Sequence, residues 1–250
     1  MLLKDLQDKH LGSMGFVVGG GPSLHFQNIE PLKDYVTIAV NSGILKASNC
    51  DYFLSDDVGV KHWNYYHRDA KESKCIKLLY EDKLKNDASH FRQEEVLFFK
   101  HKWWYSPEKK EYNFNGLEMT KDADSPIIGA RTSAASALHF LYIMGCSPIV
   151  LLGCDSCYRI GKRYFWQFTG EKKAFRLNGN PVFSNPNRGK RRGQFVDSHC
   201  CEFDDYWNHF ERINRGKVDI IYASEGGLLE CFPTKRLEDV FLEYGERKKK

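Results

Sequence analysis

A run of glycines after the first apolar segment is the clearest candidate binding site in this chain. The chain passes there into Gly19, Gly20, Gly21, Pro22 and Ser23. Such a turn leaves backbone N–H groups free, and a helix that starts at Pro22 adds a positive dipole, so phosphate binds there. Glycine also lets a ligand approach the backbone closely, since it has no Cβ atom. The sequence therefore predicts a phosphate-bearing ligand, with a tight turn that binds nothing as the alternative.

The glycine turn differs from the two common nucleotide-binding motifs. No Lys-Ser or Lys-Thr pair follows it, as a P-loop requires, and Leu24 stands where the dinucleotide motif has its third glycine. The dinucleotide motif also needs an acid after the second strand to hold a ribose, whereas this chain has Asn41. Both a P-loop ATPase and an NAD-binding protein are therefore disfavoured.

Acidic residues follow two further apolar segments, where they would face a ligand. Asp56 and Asp57 come after the third segment, and Asp155 comes after the sixth. Carboxylates together with phosphates bind Mg²⁺, so the first two residues predict a magnesium site. Asp155 would hold a ribose hydroxyl or a second metal position. An N-cap role for Asp57 and a turn role for Asp155 fit the sequence equally well.

A second anion site is predicted where the best helical segment begins. Arg131, Thr132 and Ser133 stand at that point, and their hydroxyls, amides and guanidinium group suit phosphate or carboxylate. Capping of the helix alone would also explain Thr132.

One histidine and two tyrosines are candidates for catalysis. His199 lies in a predicted loop before a helix and could serve as general base, because the pKa of histidine is near neutrality. Tyr158 and Tyr164 could donate to a leaving phosphate or stack on a base. The alternative for His199 is an ordinary surface residue.

Short apolar segments alternate with helical or irregular ones and must position these residues. Several are apolar throughout, as in parallel strands that are covered on both faces. The pattern predicts an α/β protein with three layers, a mostly parallel sheet and a single domain spanning 1–250, with inserted loops at about 100–125 and 158–196. Strands are predicted at 15–19, 36–40, 52–54, 76–80, 96–99, 149–153 and 218–222, and helices at 132–144, 203–214 and 236–244.

Composition and charge limit the class of protein. The chain has 250 residues, 42% of them hydrophobic, and a net charge of +4. No apolar run reaches membrane-spanning length, and the first ten residues lack the apolar centre of a signal peptide. Without a secretion signal, the eight cysteines suggest reduced thiols. We therefore expect a cytoplasmic protein. Residues 159–192 hold ten Lys or Arg against one acid, Glu171. We expect this segment to form a mobile loop around a short hairpin near 178–180, which would serve as a lid over phosphates. The alternative is a solvated loop or a loop that binds nucleic acid.

Taken together, these segments resemble a known group of transferases. The resemblance covers about residues 14–235 and rests on the order and spacing of six segments: 19–24, Asn41, 130–133, 149–155 with Tyr158, 197–199 and 223–229. They resemble the bacterial sialyltransferases of glycosyltransferase family 42. They also resemble the related MptE-like proteins, formerly the domain of unknown function DUF115, which include an archaeal pterin pyrophosphokinase and flagellar nonulosonate-transfer factors.

The sialyltransferase resemblance implies a Rossmann-like fold, a GT-A-type variant, with CMP-sialic acid lying over the glycine turn. Carried over by position, Asn41 and Thr132-Ser133 would touch the nucleotide. Tyr158 and Tyr164 would assist the departing phosphate, and His199 would deprotonate the acceptor hydroxyl. That reaction displaces the nucleotide at the anomeric carbon and needs no metal.

Two departures favour the MptE-like branch instead. Gly20 replaces an asparagine that contacts the donor, and Asp56-Asp57 stands where those enzymes carry asparagine. Acids beside a phosphate need a cation, which points to Mg²⁺ and ATP.

Three hypotheses about function therefore stay open. They are glycosyl transfer from a nucleotide-activated donor such as a CMP-sugar to a glycan hydroxyl, diphosphate transfer from ATP to a small hydroxymethyl pterin-like compound, and a non-catalytic module that binds nucleotide or nucleic acid. Nucleic acid is the least favoured partner of these.

Overall fold

The computed structural model describes most of the chain. The described residues are 1–103, 105–106, 111–112, 114–129, 132–170, 177, 189–191, 194–196 and 198–249. Three predicted features lie outside them wholly or in part: Arg131, the hairpin near 178–180 and the later part of the basic lid expected at 159–192.

A sheet of seven parallel strands forms the centre of the described structure. Its spatial order is β7-β6-β1-β2-β3-β4-β5, and each strand pairs in parallel with its neighbours. All seven predicted strands are confirmed, with ends that differ by two residues at most. The strands are β1 (Gly15–Val18), β2 (Val36–Val40), β3 (Tyr52–Ser55), β4 (Ile76–Tyr80), β5 (Val96–Phe99), β6 (Ile149–Leu152) and β7 (Ile220–Tyr222).

Alternate residues of each strand enter two separate hydrophobic layers, which makes the domain three-layered. Val17 belongs to the layer that contains Leu138 and Phe210, whereas Phe16 belongs to the layer that contains Val240. All of these side chains are buried. Removal of a whole aliphatic or aromatic side chain from water stabilises the fold by about 1.5–3 kcal/mol. The uninterrupted apolar strands of the sequence thus reflect a sheet covered on both faces.

Helices of very different lengths cover the sheet. Thr132 caps α4, its side chain accepting a hydrogen bond from the Ala134 N–H at 3.3 Å, and Gly145, with φ of +82°, follows its end. The helix predicted from residue 203 begins at Ser198, since the residues between contain no glycine or proline to stop it. The helices are α1 (Asn64–His67), α2 (Asp69–Glu72), α3 (Glu81–Leu84), α4 (Ser133–Ile143), α5 (Ser198–Asn214) and α6 (Leu237–Tyr244).

Several short 3₁₀ turns complete the backbone. They span Leu3–Leu6, Pro22–Phe26, Glu30–Asp34, Asn41–Leu45, Val58–His62, Lys85–Asp87, Gln93–Glu95, Phe114–Leu117 and Phe165–Gln167.

Among the described residues, three small strand pairs lie outside the central sheet. His101–Trp103 pairs in parallel with Ile127–Gly129, and Tyr105–Ser106 pairs antiparallel with Glu111–Tyr112, in the region expected to form an inserted loop. The third pair, at 189–191 and 194–196, is antiparallel and lies later in the chain than the predicted hairpin. Within the described part of the chain, no helix combines the length and the apolar character needed to cross a bilayer.

Candidate functional site

The strand order places a cleft where the sheet changes direction. From β1 the chain builds the sheet outward through β2 to β5, and then returns to place β6 on the other side of β1. Ligands of such sheets bind beyond the carboxyl ends of the strands at this switch point. A cleft of about 470 Å³ lies there, lined by Gly19–Pro22, Val40–Ser42, Asp56, Asp57, His101, Thr132–Ala134, Gly153–Cys157, Arg163, Tyr164 and Trp207.

Most of the predicted binding residues meet at this cleft. Those that line it are Gly19, Gly20, Gly21, Pro22, Asn41, Asp56, Asp57, Thr132, Ser133, Asp155 and Tyr164. They come from the ends of different strands and from the start of α4, as the topology rule predicts. Their roles toward a ligand stay predictions.

The amides of the glycine turn are largely engaged by the neighbouring strand, contrary to the expectation that all of them are free. The Gly19 N–H donates to the Leu152 carbonyl at 2.8 Å, and the Gly21 N–H donates to the Gly153 carbonyl at 2.8 Å. The structure gives no such partner for the Gly20 N–H among the described residues. One amide, rather than three, is thus available to an anion.

The glycines are required because three protein segments converge on the turn. A Cβ atom at Gly19 would overlap the Gly153 carbonyl, and one at Gly21 would overlap the Asp155 carboxylate. A Cβ atom at Gly20 would overlap the Ser42 hydroxyl. The missing side chains therefore make room for the protein itself, where the sequence had suggested room for a ligand.

The helix after the turn is shorter than expected. Pro22 occupies its first position, as predicted, but the helix is a five-residue 3₁₀ turn, Pro22–Phe26. A single short turn aligns few peptide dipoles, so it contributes little field at the cleft. Ser23, the second residue of this turn, is fully buried, and its N–H donates to the Asp155 carboxylate at 3.3 Å.

Asp155 is a buried acid next to the glycine turn. It is only 4% exposed. Burial raises its pKa to about 6, and the hydrogen bond from Ser23 opposes that rise. A carboxyl group in this state keeps its proton through the weakly acidic range, so it is suited to hydrogen bonding with a neutral hydroxyl group.

A chain of hydrogen bonds connects the ends of β2 and β3 with the start of α4. Asn41 has a φ of +49°, a left-handed conformation that asparagine tolerates better than most residues. The side-chain oxygen of Asn41, Oδ1, accepts from the Ser55 hydroxyl at 2.9 Å, and its side-chain nitrogen, Nδ2, donates to Ser133 Oγ at 3.3 Å. Ser133 in turn donates to Asp56. The polar wall of the cleft is therefore held in one arrangement.

Asp56 is enclosed by hydrogen-bond donors. Its side chain is 6% exposed. One carboxylate oxygen accepts from Ser133, and the other accepts from Ser136 at 2.8 Å and lies 3.3 Å from His101 Nε2. Both oxygens are thus in use within the protein.

Asp57 is exposed and caps the following turn, since its carboxylate accepts from the Gly59 N–H at 2.7 Å. A magnesium ion needs carboxylate oxygens that are free to bind it. Within the described residues, no three His, Cys, Asp or Glu side chains are grouped to hold a metal. Both Asp56 oxygens are in use within the protein, and the magnesium site predicted at Asp56 and Asp57 stays a prediction.

The two candidate tyrosines occupy different environments. Tyr164 lines the cleft and stacks on Trp166, with ring centroids 5.1 Å apart. Tyr158 is 1% exposed, packs with Cys157 and Leu228, and is not among the described residues that line the cleft. Its predicted contact with a leaving phosphate stays a prediction.

His199 lies in the first turn of α5 rather than in a loop. Its side chain is outside the described residues, as is Arg131. Their predicted roles as general base and phosphate ligand stay predictions.

Several cleft residues were missed in the sequence, among them His101, Arg163 and Trp207. His101 follows β5 by two positions and stacks on Tyr80 with ring centroids 4.1 Å apart, so the rule that selects residues past strand ends would have found it. Arg163 stands next to the predicted Tyr164. Trp207 comes from the middle of α5, and no local pattern distinguishes it from other core aromatics.

The fold is that of a Rossmann-like α/β protein, and its cleft lies at the switch point of the parallel sheet. A similar fold is found in the solved structure of the MAf glycosyltransferase from Magnetospirillum magneticum AMB-1, with a TM-score of 0.53 and 13% sequence identity. The match covers 98% of this chain and 40% of that one, so this chain spans about two fifths of its length. No protein-family model and no curated protein gives a significant match.

Proposed function

We propose that this protein is a glycosyltransferase that takes its sugar from a nucleotide-activated donor bound in the switch-point cleft. The carrying observation is the chemistry of that cleft: neutral hydrogen-bonding groups at Asn41 and Ser133, with the acid Asp56 already satisfied by the protein. The fold shared with the MAf glycosyltransferase supports the proposal. A nonulosonate sugar from a CMP donor is what the sialyltransferase resemblance implies.

In this proposal the nucleotide lies across the ends of β1 and β2. Asn41 and the hydroxyls of Thr132 and Ser133, at the start of the eleven-residue helix α4, bind the nucleotide. The α4 N-terminus carries the positive end of a real helix dipole, unlike the short turn after the glycines. Asp155, which lines the same cleft, holds a ribose or sugar hydroxyl.

Phosphate departure is assisted by protein groups in place of a metal. Arg163 and Tyr164 both line the cleft, and the guanidinium carbon lies 5.5 Å from the centre of the tyrosine ring. A cation and a phenol can stabilise the charge that develops on the phosphate. The acceptor hydroxyl attacks the anomeric carbon, the bond to the phosphate oxygen breaks, and His199 is the proposed base that takes the hydroxyl proton.

Thermal stability in the presence of nucleotides tests the proposal. CMP and a CMP-sugar should raise the Tm with EDTA present, because a ligand stabilises the folded state it prefers. A rise that occurs only with ATP and Mg²⁺ together would contradict it and favour diphosphate transfer. His199→Ala should abolish transfer and leave nucleotide affinity within a few-fold, so unchanged turnover would exclude His199 as the base.

A further inference from the structure

Two cysteine thiols meet at the edge of the sheet opposite the cleft. Cys50 lies two residues before β3, and Cys75 lies immediately before β4. The Ile76 N–H donates to the Asp51 carbonyl at 3.0 Å, which sets the entries to these two strands side by side. The Cys50 and Cys75 thiols lie close enough to shift each other's pKa, and neither forms a disulfide.

The surroundings of Cys75 favour its thiolate. The Ser73 hydroxyl lies 2.9 Å from Cys75 Sγ. The buried Lys77 ammonium donates to the Ser73 carbonyl and to Glu95, both at 2.8 Å. The interaction with Cys50, together with the charge of Lys77, lowers the pKa of Cys75 against the effect of burial. The same pairing raises the pKa of Cys50, which leaves it as the thiol partner.

Both cysteines can be reached from solvent by a small molecule. They are 7% and 4% exposed, and both line a surface cleft of about 750 Å³ that is separate from the candidate site. A neutral hydroperoxide is small enough to enter it. A reactive thiol with a second thiol in contact is the arrangement that allows a disulfide to follow oxidation.

We propose that Cys50 and Cys75 form a reversible oxidation site for hydroperoxides. The Cys75 thiolate attacks one peroxide oxygen and the O–O bond breaks, which gives a sulfenic acid at Cys75 and a hydroxide that takes up the proton released from the Cys75 thiol. The Cys50 sulfur then attacks the Cys75 sulfur, the S–O bond breaks, and the second water leaves with the Cys50 proton. One hydrogen peroxide is reduced to two waters, and a dithiol restores the two thiols.

Peptide mapping of the folded, full-length protein tests this site independently of glycosyl transfer. After brief treatment with hydrogen peroxide and blocking of free thiols, trypsin should release peptide 47–61 linked by a disulfide to peptide 75–77. Dithiothreitol added before blocking should abolish the link. Absence of the linked pair from peroxide-treated wild-type protein would overturn the proposal.

Single variants assign the two roles. In Cys50→Ser, dimedone should label Cys75 as a sulfenic acid, whereas in Cys75→Ser it should leave Cys50 unlabelled. Cys231 is the matched control, because it is more exposed than either cysteine but burial raises its pKa to about 12. Oxidation of Cys231 in wild-type protein as fast as of Cys75 would show that the pair has no special reactivity.

Discussion

The Ser133 hydroxyl donates a hydrogen bond to the Asp56 carboxylate, although the two residues are 77 positions apart. Asp56 follows β3 and Ser133 begins α4, so this bond holds the start of the helix against the end of the strand. Ser136 and His101 approach the other carboxylate oxygen. Asp56 therefore acts as a positioning residue for the wall of the cleft.

Asp56→Asn should weaken folding and donor binding together. The substitution puts an amide donor where a carboxylate oxygen now accepts, and one unsatisfied buried group costs about 1–3 kcal/mol of unfolding free energy. We expect donor affinity to fall about tenfold, or ~1.4 kcal/mol, equally with EDTA and with Mg²⁺. Urea denaturation and donor titration measure the two effects.

Asp57→Asn is the matched control for that experiment. Asparagine caps helical turns about as well as aspartate, so stability should change by less than about 0.5 kcal/mol. A loss of donor affinity in either variant that appears only with Mg²⁺ would show that these carboxylates bind the metal after all.

Gly21→Ala should destabilise the protein and abolish donor binding. The added Cβ atom overlaps the Asp155 carboxylate and crowds the Gly153 carbonyl, and such overpacking costs about 1–3 kcal/mol. Gly161→Ala is the control, because nothing lies within 4 Å of its Cβ position and its φ of +69° adds only backbone strain. In a thermal-shift titration, the control variant should keep donor binding. An equal loss of donor affinity in both variants would refute a specific role for Gly21.

Asp155 should make stability depend on pH in the weakly acidic range. Its pKa is raised from 3.8 to about 6 by burial, so the folded state holds its proton more tightly than the unfolded state. Stability should consequently fall as pH rises from about 4 to about 6, by up to ~3 kcal/mol, and then level off. In urea denaturation across this range, Asp155→Asn should remove that component, and identical pH profiles for both proteins would contradict the assignment.

Asn41→Asp should weaken donor binding by about 10–100-fold. The variant keeps the size of the side chain, but it loses the donor to Ser133 and brings a negative charge toward Asp56 and the donor phosphate. Since aspartate also tolerates a positive φ, we expect the fold to persist. Binding of CMP at low and high salt, together with circular dichroism, tests both statements, and unaltered affinity would remove Asn41 from the site.

Local patterns in the sequence were sufficient for the sheet and for most cleft residues. Uninterrupted apolar runs such as 149–153 can be stable only as covered strands, and the residues past their ends meet by topology. Thr132 was also recognisable, as a cap of the helix. The first N–H groups of a helix need an acceptor, and a threonine side chain supplies one.

The partners of individual side chains were beyond local patterns. Asp56 resembled a free metal ligand because Ser133 and Ser136, which satisfy it, lie 77 and 80 residues later. Nothing near Tyr158 indicates that it is buried while Tyr164 lines the cleft. The free amides expected at Gly19 and Gly21 were also misjudged, because the carbonyls that accept from them belong to β6 and the residue after it.

The position of β6 beside β1 has a consequence for the newly made chain. Residues 15–99 supply five strands, but one edge of β1 gains its partner only when residues 149–152 arrive. Until then a fully apolar strand offers unsatisfied N–H and C=O groups to any other extended peptide. A fragment that ends before residue 149 should self-associate through this edge, whereas the longer chain shields it.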